Sequence, residues 1–212
     1  MHQIAQSTYD LFKTKEGSKH IATANCLRAI INYVRLKKSR NILELGIGIG
    51  TIAFSLKLAK EKKEIRHDFK YYGTEADQFC IDAFKTNIPG YERFVNHFTD
   101  LSKIPAGSKF DFIIIDGRDK SLDKIIELLA PGGVIFVEGG RNSQLDVIKK
   151  VAEEHGRKYL EWNGIRFSLG HLGGYTVRFF DPTISDYIMY FKGKTATFIK
   201  WRLIKLIKIF FG

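Results

Sequence analysis

Disulfides, cysteine-based metal clusters and membrane spans all lack raw material in this chain. Only two of its 212 residues are cysteine. Cys26 and Cys80 lie far apart, without the Cys-x-x-Cys spacing of a zinc or redox site. Both fall in helical-looking stretches, so they are expected as thiols in a reducing compartment. Four prolines, with 44% hydrophobic and 27% charged residues, exclude collagen, low complexity and disorder. No run of about 18 uncharged apolar residues occurs, so no membrane-spanning helix is expected. Residues Met1 to Gln6 carry no basic stretch followed by an apolar core, so no signal peptide is expected and the reading is cytoplasmic. No fixed-period repeat is visible.

Basic charge, by contrast, is in excess and unevenly placed. The formal net charge is +11. Six of the basic residues (Lys192, Lys194, Lys200, Arg202, Lys205 and Lys208) fall in 187–212, which contains no acid. Residues 1–186 are expected as one domain, because a chain of this length can bury most of its apolar surface in a single core. The segment 1–40 reads as a helical cover and 187–212 as a basic amphipathic helix.

Buried-looking apolar runs alternate with amphipathic stretches, the pattern of a parallel sheet with crossover helices. Strands are expected at Asn41–Leu45, Phe69–Thr74, Phe94–Phe98, Phe110–Ile115 and Val134–Val137. Helices are expected at His20–Leu36, Thr51–Lys62, Asp77–Thr86 with Asp77 as N-cap, Ser121–Leu129 stopped by Pro131-Gly132-Gly133, and Ser143–His155. Two further strands, Tyr159–Phe167 and Tyr175–Phe180, have no helix between them. The fold class is therefore α/β, doubly wound, with a mostly parallel seven-stranded sheet and a C-terminal antiparallel hairpin.

The sharpest motif is Glu44-Leu45-Gly46-Ile47-Gly48-Ile49-Gly50, between a strand and a helix. Glycine lets the backbone turn tightly and approach a ligand that a Cβ would exclude, and the helix beyond offers unpaired N–H groups. A P-loop is excluded by the missing Gly-Lys-Ser/Thr ending, and a dinucleotide fingerprint by Thr51 in the third small-residue slot. The next strand ends in Gly73-Thr74-Glu75, where a carboxylate can hold both hydroxyls of a ribose. The third strand runs into Thr99-Asp100 and the fourth into Asp116-Gly117.

This register of acids resembles the class I S-adenosylmethionine-dependent methyltransferases, over roughly Asn41 to Phe180. The resemblance implies a Rossmann-like fold and S-adenosylmethionine as cofactor. It implies that Glu44, Gly46, Ile47, Gly48, Gly50 and Thr51 cradle the amino-acid part. Glu75 with Ala76 would hold the ribose, Thr99 and Asp100 would lie near the adenine, and Asp116 with Gly117 would face the methionine end. Asp116 is also the candidate catalytic residue, as base or cofactor contact. The Asp/Asn-Pro-Pro-aromatic motif of base-amine methylation and the Pro-Cys nucleophile of pyrimidine carbon methylation are both missing. Small-molecule O-methyltransferases are the nearer likeness. Their metal-dependent branch has an Asp-Asn pair where this chain has Glu138-Gly139-Gly140-Arg141-Asn142. No metal is assigned, although Asp116 with Glu138 leaves an oxygen-rich site open.

The expected reaction is methylation of a small-molecule or glycan-type acceptor. Arg118 and Arg141 are candidates to clamp an anionic acceptor, and His20 to fold over the cofactor. An RNA methyltransferase and a non-catalytic cofactor-binding interaction protein are the alternatives. In 198–211, apolar Ile199, Leu203, Ile204, Leu206, Ile207, Phe210 and Phe211 share one helical face, with cations opposite. That pattern suits an anionic membrane surface, docking on the domain or on a second copy in a homodimer, or, least favoured, nucleic acid.

Overall fold

The computed structural model describes residues 1–164 and 174–195. Its helices and strands in chain order are α1 (His2–Phe12), α2 (Ala24–Lys37), β1 (Asn41–Leu45), α3 (Thr51–Glu61), β2 (Lys70–Thr74), α4 (Gln78–Asn87), α5 (Tyr91–Phe94), β3 (Val95–Phe98), β4 (Phe110–Ile115), α6 (Ile125–Leu128), β5 (Leu129–Glu138), α7 (Asn142–Glu154), β6 (Tyr159–Gly164) and β7 (Tyr175–Phe180). A further helix, α8, includes 184–195 of the described residues. The seven strands form one sheet of order β3-β2-β1-β4-β5-β7-β6. All neighbouring pairs from β3 to β5 are parallel, and β7 runs antiparallel to both β5 and β6.

The chain winds outward from β1 through β2 to β3, then returns to lay β4 on the other side of β1. That reversal opens a crevice at the carboxyl ends of β1 and β4, where open α/β sheets bind ligands. Alternating side chains give the sheet two apolar faces. Ile42, Phe112, Ile114, Val134 and Phe136 pack under α1, α2 and α3. Leu43, Leu45, Ile113, Ile115, Ile135 and Val137 pack under α6 and α7. Phe136 is fully buried and stacks on Tyr175 with ring centroids 4.7 Å apart.

Capping decides where several helices start. The Thr23 side chain accepts from the Cys26 N–H, so α2 begins at Ala24; the expected start at His20 is instead a short 3₁₀ turn, Ser18–His20. Asp77 caps α4 by accepting from the Cys80 N–H, as its sequence position predicts. The expected helix Ser121–Leu129 is broken into a 3₁₀ turn, Leu122–Lys124, and the single turn α6. Pro131-Gly132-Gly133 does not separate a helix from a strand. It lies inside β5, where the register jumps from Phe110 opposite Leu129 to Phe112 opposite Val134. Gly132 has φ +68°, so the proline and glycines form a bulge that a regular ladder could not hold.

α8 is tied to the body by an ion pair. Asp186 is fully buried and accepts from Lys37 Nζ at 2.6 Å. The far side of α8 leaves Ile184, Ile188 and Phe191 in solvent, at 82%, 49% and 60% exposure. No helix among the described residues is long and apolar enough to cross a membrane. The amphipathic segment 198–211 and the strand end 165–167 lie outside the described residues.

Candidate active site

The glycine turn sits where the sheet order reverses. Gly46 (φ +81°), Gly48 (φ +55°) and Gly50 (φ +93°) all adopt the left-handed conformation that side chains resist. A Cβ on Gly46 would lie 2.4 Å from the Gly117 Cα, so the ends of β1 and β4 touch backbone to backbone. A Cβ on Gly48 would meet nothing within 4 Å; it faces open space. One turn, then, uses glycine for two reasons: close packing at Gly46 and an open approach at Gly48.

Glu75, at the end of β2, organises the turn. Its Oε2 accepts from the Gly48 N–H at 2.9 Å, and its Oε1 accepts from the N–H groups of Ala76 and Asp77, each at 2.9 Å. His97 Nε2 hydrogen-bonds the Glu75 carbonyl oxygen at 2.9 Å. Beside this carboxylate lies a cleft of about 550 Å³ lined by Gly46, Glu75, Ala76, Thr99, Asp100 and Gly117, among others. Small-molecule sites span about 300–1,000 Å³. Asp100 caps the 3₁₀ turn Leu101–Lys103 through the Ser102 N–H, and the Ser102 hydroxyl holds its carboxyl below the usual range.

Other predicted residues stand behind the cleft wall. Ile47 is buried with its side chain against Gly73, Gly50 lies against Phe84 and Ile88, and Thr51 is buried at the start of α3. Glu44 is fully buried beneath the turn. Its Oε2 accepts from the Tyr71 hydroxyl, while its Oε1 has no partner. Burial pushes the Glu44 carboxyl well above its ordinary pKa, and Asp116 and Glu75 add to the shift.

Beside Gly117, Asp116 directly follows β4 and Glu138 ends the neighbouring β5, where Ile115 pairs with Val137. Their carboxyls are within hydrogen-bonding reach of each other. Arg141 binds Asp116 through Oδ1 at 2.9 Å and through the carbonyl oxygen. Burial raises the Asp116 carboxyl against the pull of Arg141. Burial, reinforced by Asp116, raises Glu138 to about 7. Cys26 of α2 faces Glu138, and burial pushes its thiol up. His20 faces Asp116 but is exposed. Among the described residues no group of three or more His, Cys, Asp and Glu is arranged to hold a metal.

A second cavity, about 980 Å³, adjoins the first and shares Arg118, Asp119 and Lys120 with it. Arg141, Asn142 and Gln144 also line it. Arg118 thus faces both cavities, whereas Arg141 is already committed to Asp116. The meeting of Asp116 with Glu138 was expected from the sequence, whereas the clamp of Arg141 on Asp116 was not. The signal for the first is positional, since adjacent parallel strands end level and bring the residues at their ends together.

No protein-family profile matches the chain. Over 145 residues it is 26% identical to the ribosomal protein L11 methyltransferase of Agrobacterium fabrum, covering 59% of this chain. The match spans 44% of that relative, less than half its length. Among solved structures, the Bacillus cereus O-methyltransferase in complex with S-adenosylhomocysteine aligns at TM-score 0.58 and 17% identity, over 84% of this chain and 90% of that one. TomG of Streptomyces achromogenes, an O-methyltransferase of tomaymycin synthesis in complex with S-adenosylmethionine, aligns at TM-score 0.57 and 16% identity, over 84% and 88%. The precorrin-6y C5,15-methyltransferase of Geobacter metallireducens aligns at TM-score 0.56 and 17% identity, over 80% and 94%. The chain has the Rossmann-like fold of class I methyltransferases.

Proposed function

We propose that this protein is an S-adenosylmethionine-dependent methyltransferase that methylates an oxygen of a small-molecule acceptor. The observation that carries the reading is the bond from the Gly48 N–H to Glu75, a carboxylate that lines the 550 Å³ cleft. It fixes a carboxylate beside an open, left-handed glycine turn, at the point where the strand order reverses. The residues present fit such a cofactor. A Cβ at Gly48 would stand in the open space of the turn, and Glu75 retains acceptor capacity for ribose hydroxyls beyond its three backbone bonds.

When bound, S-adenosylmethionine supplies an activated methyl group on a sulfonium sulfur. The chain's own residues then position the reactants and handle a proton. Glu75 orients the ribose, and Thr99 and Asp100 form the far wall of the cleft. Asp116, fastened by Arg141, serves as a fixed anion. Glu138, losing its proton near neutrality, is the better matched of the two to receive the acceptor's hydroxyl proton. Arg118 and Lys120, common to both cavities, support an anionic group on the acceptor.

The test is calorimetric titration with S-adenosylmethionine and, separately, NAD, repeated on Glu75→Ala. Binding of the first ligand alone is expected, weakened about tenfold or more by the substitution, since hydrogen bonds to a charged group are worth about 1.5–3 kcal/mol. Absence of binding would overturn the reading. Retained binding with no turnover across an acceptor screen would favour the non-catalytic alternative.

We also propose an anionic membrane surface as the place of work. The exposed Ile184, Ile188 and Phe191 of α8 support it, as does the basic apolar pattern of 198–211. Co-sedimentation with phosphatidylglycerol vesicles, lost at high salt, is the expected result; no sedimentation at low salt would sink it.

A further inference from the structure

Among the described residues, the carboxyl ends of β1, β4 and β5 are short of positive charge. Glu44, Asp116 and Glu138 gather on the α2 side of the sheet, and Glu75 lies within electrostatic reach of Glu44. Among the described residues, these acids are met by one guanidinium, Arg141, which is spent on Asp116. The other groups facing the cluster do not balance it. They are Cys26 of α2, the exposed His20 of the preceding turn, the Tyr71 hydroxyl, and Tyr175, which pairs with Glu138 across the β5–β7 ladder. The Oε1 of Glu44 is buried without a hydrogen-bond partner. Buried carboxyls in this position must either keep protons or meet a cation.

We infer that the Asp116–Glu138 pair, backed by Glu44, discriminates the charged methyl donor from its spent neutral product by supplying the counter-charge to a sulfonium. This rests on the methyltransferase reading above. S-adenosylmethionine carries a positive sulfur and S-adenosylhomocysteine does not, while the adenosine and amino-acid parts are shared. A cation at the pair favours the ionised form of Glu138, whose proton in the free protein leaves near pH 7. By linkage, donor affinity then rises as pH increases through neutrality, whereas product affinity has no such dependence on the pair. Methyl transfer would remove the sulfonium charge and deliver the acceptor's proton to Glu138, so the spent cofactor loses its counter-charge in the same step.

The experiment is calorimetry of the full chain with S-adenosylmethionine and with S-adenosylhomocysteine at about pH 6 and about pH 8.5, either side of the Glu138 transition. The ratio of the two affinities is expected to rise about fivefold in favour of the donor, the share of a one-unit pKa coupling that falls between these two pH values. Glu138→Gln, checked for folding by its unfolding transition, is expected to abolish the rise. A wild-type ratio that stays constant with pH overturns the inference without need of the variant. So does a Gln variant that keeps the full rise. Failure of either ligand to bind at any pH would instead remove the methyltransferase reading itself.

Discussion

Gly46 and Gly48 look alike in sequence and differ in physics. At Gly46 a methyl group would strike the Gly117 backbone at 2.4 Å and would also sit at φ +81°. Gly46→Ala is therefore expected to lower unfolding stability by about 2–4 kcal/mol, combining left-handed strain with overpacking. Gly48→Ala meets no neighbour and should cost only about 1–2 kcal/mol of strain. Its penalty should fall on donor affinity, by about tenfold or 1.4 kcal/mol. Chemical denaturation and calorimetry on both variants would separate the two uses of glycine. Tyr71→Phe removes the hydroxyl that Glu44 accepts from. It is expected to cost about 1–3 kcal/mol through an unsatisfied buried carboxyl, visible in the same denaturation series. The glycine turn, Glu75 and Asp100 were readable from sequence because spacing alone puts them at strand ends. The clamp of Arg141 on Asp116 was not, since it joins residues 25 apart through a loop whose path no periodicity reveals.

Elements were readable where local chemistry agreed with tertiary packing. The run Phe110–Ile115 forms β4 as expected, and Asp77 caps α4. Asp77→Ala is expected to destabilise by about 1 kcal/mol, the usual worth of an N-cap, as a shifted denaturant midpoint with unchanged slope. Elements were misread where context overrode propensity. Pro131-Gly132-Gly133 has the composition of a helix stop, yet the β4 ladder captures residues on both sides of it and leaves the three as a bulge. Nothing in the sequence distinguishes these outcomes, because both need a break in regular hydrogen bonding. At the layer between sheet and helices, Phe136→Ala is expected to cost about 3–5 kcal/mol, since its buried ring lies between Tyr33, Phe112 and Tyr175.

On the scale of the whole molecule, charge is sorted along the strands. Acids crowd the carboxyl ends of β1, β4 and β5, while Arg35, Lys38, Lys63 and Arg66 line a cavity of about 580 Å³ together with Glu64 and His67. Two of these, Lys38 and Lys63, sit at positive φ, 51° and 58°, near the carboxyl ends of α2 and α3. Cations there complement the helix dipoles. The acid-rich end sets a pH dependence. Glu138 rises to about 7 in the folded state from an ordinary 4.5, so the folded state binds more protons between these values. Its contribution to stability is complete below about pH 4.5 and is lost as pH rises through about 7. Thermal unfolding measured across that window should fall in the wild type and flatten in Glu138→Gln. The ion pair between Lys37 and the buried Asp186 carries a practical consequence for anyone trimming the basic tail. Ending the chain before Thr183 would strip Lys37 of its anion and uncover the flank of α2, so a loss of membrane or substrate affinity could reflect a damaged body. A cut after Thr195 keeps that latch and the described part of α8, and makes the shortened chain a fair control for what the last 17 residues do.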